Sequence, residues 1–195
     1  MSKIELRKEN VTAAYSVADS NTKKVLAALF GDIVKRPTPT LDDYKTIQDY
    51  EDAYIALGED PIDEAKLMDA GTPPHIIALM KLETISRALW GRNFEPKPDA
   101  EGKETYWWVW TALYTQQEIN NMSAEDRGAL LCATAYTGAY AGFGFLNTFS
   151  RSSYSTASLG FRLCQETQEK ARYFGRQFIK LWAKYHMFNF KVKED

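Results

Sequence analysis

Thiol and imidazole groups would carry nucleophilic or general-base chemistry in this 195-residue chain, and it holds two cysteines and two histidines. A thiolate paired with an imidazole would require Cys164 and His186 to meet in space. Their spacing fixes no such meeting, and a buried, reduced cysteine behaves as a small hydrophobe. His75 falls in the first turn of one expected helix and His186 near the end of another, so both read as helix-terminal polar residues. No Cys/His cluster has zinc spacing. Gly142-Phe143-Gly144-Phe145 lacks the third glycine and the Lys-Ser/Thr pair of a phosphate loop; these glycines read as strand positions that permit a bulge or a close backbone approach. The acidic groups Asp42-Asp43, Glu59-Asp60 and Asp63-Glu64 lack the alternating oxygens of a calcium loop and read as solvated turns. No catalytic residue, metal ligand or cofactor is assigned.

Stacking is the chemistry that remains. Trp107, Trp108 and Trp110 have flat faces that suit a ligand or a protein partner, and with Tyr140 and Tyr154 they form the candidate binding set. Strand alternation puts Trp108 and Trp110 on one face and Trp107 on the other, so at least one set belongs to the core.

These residues need a sheet to hold them. Tyr106 to Tyr114 is aromatic and β-branched enough for a strand buried on both faces. Leu130 to Tyr136, Tyr140 to Phe149 and Tyr154 to Leu163 read as further strands, with turns at Thr137-Gly138 and Ser150 to Ser153. Alanines in Leu130 to Tyr136 also favour helix. Between the first two strands, Gln116 to Arg127 is polar, and Ser123 with Asp126 resembles a capping box, which predicts a short helix or a long loop. Glu166 to Phe188 predicts a strong helix, with Ala171, Phe174, Phe178, Trp182 and Tyr185 on its apolar side.

The first half is helical by periodicity. One helix follows a cap at Asn10, and a second runs from Thr22 to Phe30 with a left-handed stop at Gly31. Pro37 and Pro39 impose an extended link. A third helix covers Asp49 to Leu57. A fourth starts at a Thr72 cap with Pro73 at its first position and closes at Gly91. Arg92 to Lys103 is polar and proline-bearing. The expected organisation is a helical region over 1–91, a linker over 92–105, and an antiparallel sheet with a C-terminal helix over 106–190. The fold class is α+β: an antiparallel β-meander packed against a long C-terminal helix.

Composition narrows the classes. The chain is 45% hydrophobic and 13% aromatic with a formal net charge of −2, which suits a globular domain and supplies no global positive field for nucleic acid or an acidic membrane. Met1 to Glu9 lacks the apolar core of a signal peptide, and no stretch reaches the roughly 20 apolar residues of a membrane span. Reduced cysteines in a cytosolic setting follow.

Asn10-Val11-Thr12-Ala13-Ala14-Tyr15 and Lys23-Lys24-Val25-Leu26-Ala27-Ala28-Leu29-Phe30-Gly31 resemble the opening of an uncharacterised protein family of gut Bacteroidales and their phages, including crAss-like phages. Tyr50-Glu51-Asp52-Ala53, Gly142-Phe143-Gly144-Phe145, Gly160-Phe161-Arg162-Leu163-Cys164 and Tyr173-Phe174-Gly175-Arg176-Gln177-Phe178 are similar to its central helix and its strand-turn-helix ending. Gln116 to Arg127 stands as an insertion against that pattern, and Gln165-Glu166 replaces its usual aromatic and lysine. The family carries no assigned catalytic residues, so the resemblance transfers none. It implies a non-enzymatic, phage-related structural or interaction protein such as a capsid decoration, head fibre or cargo component. Its expected partners are further copies of itself or other virion proteins, with no nucleic acid and no membrane. Its expected place is the virion or the cytoplasm of the infected host. The alternative is a small cytosolic enzyme or ligand-binding protein with a pocket beside the aromatic strands.

Overall fold

A computed structural model describes residues 7–18, 20–34, 37–97, 99–132, 141–153 and 160–187. The chain divides into two compact units, Met1–Thr38 and Pro39–Asp195.

The smaller unit holds α1 (Lys8–Val17) and α2 (Ser20–Val34), which pack on each other. α1 starts ahead of the expected Asn10 cap, with Arg7 at the cap position and no side-chain cap bond. α2 does not stop at Gly31. It continues through a non-helical Phe30 (φ −132°, ψ 32°) to Val34, whose side chain is buried and so gives the added turn apolar surface to cover.

The larger unit opens with a turn in which the Thr46 hydroxyl donates to the Asp43 carbonyl at 2.7 Å and accepts from the Thr40 amide at 2.9 Å. Helix α3 (Tyr50–Leu57) is capped by Asp49, whose carboxylate accepts from the Asp52 amide at 3.0 Å. Gly58 (φ 68°) ends it in the left-handed conformation that only glycine adopts at little cost. The acidic turn that follows includes a helix not foreseen, α4 (Glu64–Asp69), and Asp63 caps it through the Lys66 amide. Helix α5 (Pro74–Trp90) begins one residue later than expected, with Pro73 at the cap and Pro74 inside the first turn. A proline sacrifices no bond there, because a first-turn N–H has no helical acceptor. Ile77, Leu82, Ile85 and Leu89 form its buried stripe.

The sheet consists of β1 (Thr105–Tyr114), β2 (Leu130–Cys132) and β3 (Gly142–Ser152), all antiparallel and in the order β1-β3-β2. The strand that follows β2 therefore runs between its two predecessors. The polar Gln116 to Arg127 segment forms two short helices, α6 (Gln116–Asn121) and α7 (Ala124–Arg127). Thr115 and Glu118 cap α6 reciprocally, and the Ser123 hydroxyl accepts from the Asp126 amide to cap α7. Of the expected strand from Tyr154 to Leu163, residues 154–159 lie outside the described set, and Gly160 to Leu163 is turn. Gly160 has φ 72°. Gln165 then pairs with Trp107 through bonds of 2.8 and 3.0 Å, so this segment docks on the edge of β1.

The expected C-terminal helix is broken into α8 (Gln168–Gln177) and α9 (Ile179–His186), with Phe178 (φ −108°, ψ 26°) between them. The break keeps Phe174, Phe178, Ile179 and Trp182 all buried. α8 crosses β1 and β3, and α9 lies against β3 and α5. The architecture is α+β. One apolar cluster joins Ile47, Ala53, Leu82, Ile85 and Leu89 to Val109, Phe143, Phe145, Phe174 and Trp182, so residues from both sides of the 92–105 segment share a core.

Gly175 sets how closely α8 approaches the sheet. A Cβ there would lie 2.5 Å from Phe145 Cδ2 and 2.8 Å from Val109 Cγ1, against a rigid ring and a branched side chain. Overpacking of this kind costs about 1–3 kcal/mol and outweighs the ~1 kcal/mol that alanine gains over glycine in a helix. Gly175→Ala should therefore lower the melting temperature by several degrees, read by circular dichroism; an unchanged or raised value would contradict this packing.

Candidate functional site

Two faces of the sheet receive different side chains. Cross-strand partners share a face in an antiparallel pair, and Val109 pairs with Thr148 while Trp108 pairs with Phe149. Val109, Phe143 and Phe145 turn toward α8 and α9 and belong to the main core. Tyr106, Trp108, Trp110, Phe149 and Arg151 turn the other way.

This second face is an aromatic strip. Trp108 and Phe149 stack with centroids 5.9 Å apart and an interplanar angle of 20°. Phe161 meets Tyr106 edge-on at 5.7 Å, and Phe94 does so at 5.6 Å. Trp110 approaches Phe149 edge-on at 6.0 Å, and the Arg151 guanidinium sits 5.6 Å from the Phe149 ring. Segment 160–165 closes one end of the strip, with Trp108 Nε1 donating to the Gly160 carbonyl at 3.1 Å. The Tyr106 hydroxyl donates to the Lys97 carbonyl at 2.8 Å and so pins the connection that precedes β1.

The other end stays open. The register slips between Trp110, paired with Asn147, and Thr111, paired with Phe145, which leaves Leu146 as the unpaired residue of a bulge. Phe145 and Thr148 both lie on the core face, so Leu146 and Asn147 both fall on the aromatic face. Leu146 is 45% exposed and Trp110 53% exposed, side by side. In the next stretch of the sheet Gly142 and Gly144 leave room for Leu130 Cδ1, which would sit 3.0 and 3.1 Å from a Cβ at those positions. These glycines thus serve close packing, as the sequence indicated.

The candidate binding set divides accordingly. Trp108 is 5% exposed and hydrogen-bonded, so its role is structural. Trp107 is half-buried, and its backbone carries the bridge to Gln165. Trp110 alone of the described candidates presents most of its ring to solvent. Tyr140 and Tyr154 lie outside the described residues. Leu146, Phe149 and Arg151 join Trp110 at the surface without having been foreseen, because the bulge that re-aims Leu146 is a property of register.

The groups that would support catalysis are kept apart. Cys164 is fully buried beside Tyr106 and Trp108, and its thiol donates to the Phe161 carbonyl at 3.1 Å. Burial pushes its pKa up to about 12, so it stays protonated at neutral pH. His186 instead packs against Trp182, Tyr185 and Phe143, with Nδ1 3.0 Å from Thr111 Oγ1. Desolvation by these neighbours lowers its pKa, although the residue as a whole is exposed. The Cys164–His186 pair does not form.

The chain matches no family model, no curated protein and no solved structure. Among the described residues no group of three or more His, Cys, Asp or Glu is placed to hold a metal ion, and no helix is long and apolar enough to cross a membrane.

A shielded thiol has a direct consequence for reactivity. In a Cys132→Ser background, Cys164 should resist a disulfide reagent such as dithionitrobenzoate in the native protein and react fully in denaturant. Rapid modification of the native protein would contradict the buried, protonated state.

Proposed function

We propose that this protein is a non-enzymatic interaction protein that docks on protein partners, including further copies of itself, through the open end of its aromatic sheet face. The observation that carries this reading is the exposure of both Trp110 and Leu146, at the bulge, on a strip whose Tyr106 and Trp108 end is already packed. A rigid tryptophan beside an aliphatic side chain, with an arginine close by, is the composition of an interface anchor. Covering the exposed half of an indole removes roughly 120 Å² from water and is worth about 3 kcal/mol, which is the scale of an interface hot spot. Phe149 meets the ring edge-on at 6.0 Å and is itself stacked on Trp108, so little side-chain entropy is lost on docking.

What supports siting such a contact in a virion assembly, as decoration, head fibre or cargo, or in the cytoplasm of the infected host, is the sequence resemblance to proteins of gut Bacteroidales and crAss-like phages. A catalytic reading would need a nucleophile in reach of a base, and the protonated Cys164 and the separate His186 do not supply one.

Self-association is measured by size-exclusion chromatography with light scattering. The wild-type chain should give a species heavier than the 22.2 kDa monomer at micromolar concentration. Trp110→Ser with Leu146→Ser should return it to the monomer without loss of thermal stability. A wild type that stays monomeric would overturn the self-docking reading, and failure to find the chain by mass spectrometry of purified particles would overturn the virion reading.

A further inference from the structure

A second surface, independent of the aromatic strip, lies where α7 meets α8. Tyr44, Glu125, Ala129, Glu169, Arg172 and Arg176 help to line a cleft of about 460 Å³ there, within the size range of small-ligand sites. Arg172 and Arg176 stand one turn apart on the same side of α8.

Arg176 is held in place. It donates to the Glu125 carbonyl at 2.9 Å and to the Asp126 carboxylate at 2.6 Å, its guanidinium carbon lies 5.1 Å from the Phe145 ring, and its Nε is buried with no hydrogen-bond partner among the described residues. A hydrogen bond from Ser123 and the Arg176 contact both keep the Asp126 carboxyl below its usual range. Arg172 is about half exposed.

The Glu125 side chain sits between the two guanidinium groups. Its Oε1 is 3.6 Å from Arg172 Nη2 and 3.7 Å from Arg176 Nη1, both longer than a hydrogen bond, and the carboxylate is 73% exposed. An anion therefore already occupies the position that two arginines favour, without making the bidentate bonds that arginine offers.

We propose that this cleft binds an oxyanion group, carboxylate or phosphate, and that Glu125 is a resident stand-in displaced when the ligand enters. Displacing Glu125 costs little, because exposed ion pairs at this distance are weak. α7 stays anchored meanwhile, since Arg176 holds the Glu125 backbone and Asp126 rather than the Glu125 side chain. Glu169 lines the same cleft one turn before Arg172. It repels a bare anion and favours an oxyanion ligand that also carries a hydroxyl or other donor. The T-shaped pair of Tyr44 and Tyr173, with centroids 5.3 Å apart, supplies an apolar wall.

Isothermal titration with inorganic phosphate and with citrate tests the site. Glu125→Gln removes the competitor and should tighten binding roughly two- to five-fold, and Arg172→Gln should weaken it by at least as much. Glu51→Gln, which makes the same change in net charge on exposed α3, should leave affinity unchanged. Melting curves of the variants should match that of the wild type. Saturation by citrate alone identifies a carboxylate ligand and by phosphate alone a phosphate ligand; either result upholds the site. Absence of saturable binding by both probes in the Glu125→Gln protein overturns it, as does tightening that Glu51→Gln reproduces.

Discussion

The approach of α8 to the sheet at Gly175 is the contact on which the larger unit depends. The helix backbone comes so near that Phe145 and Val109 fill the space a side chain would need. That proximity commits Val109, Phe143 and Phe145 to one core with Phe174 and Trp182 of the helices and with Leu82, Ile85 and Leu89 of α5. It also fixes by strand alternation which residues are left over. Tyr106, Trp108, Trp110 and Phe149 fall on the opposite face because their neighbours are held on this one.

That opposite face has less to cover it. Segment 160–165 seals the Tyr106 and Trp108 end through Gln165 on β1 and the Gly160 carbonyl on the Trp108 indole. Buried polar bonds brace the seal: Trp90 Nε1 donates to the Cys164 carbonyl at 2.6 Å, and Gln165 Nε2 donates to Ser86 Oγ at 2.9 Å. The seal does not reach Trp110. The bulge leaves Leu146 unpaired on the aromatic face, near the open indole. A surface that costs free energy to leave in water, held rigidly on a sheet, is the physical basis of the proposed docking role.

Much of this was legible in the sequence where the signal was local. Aromatic and β-branched residues marked β1, the Ser123 and Asp126 spacing marked the cap of α7, and the 3.6-residue stripe marked α5. Legibility failed where a distant contact decides. Phe178 interrupts an otherwise continuous helical pattern because α8 lies on β1 and β3 while α9 must reach α5, and no local propensity records that change of direction. Gly31 lacks the stop role its residue type suggests, because Val34 is buried one turn later. At the candidate site, alternation correctly grouped Trp108 with Trp110. It could not separate the buried ring from the exposed one, since segment 160–165 covers only the first. Leu146 carried no signal, because a bulge depends on the pairing of two strands. Arg172 and Arg176 lie four residues apart, and only α7 alongside gives that spacing a meaning.

In the proposed docking role Trp110 is the open anchor of an aromatic face sealed at its Tyr106 and Trp108 end. Hydroxyl-radical footprinting with mass spectrometry reads each tryptophan separately and tests it most directly. Trp110 should be strongly oxidised in dilute protein and become protected as concentration rises into the associating range, while Trp108 stays protected throughout. Equal oxidation of Trp108 and Trp110, or oxidation of Trp110 that does not change with concentration, would contradict it.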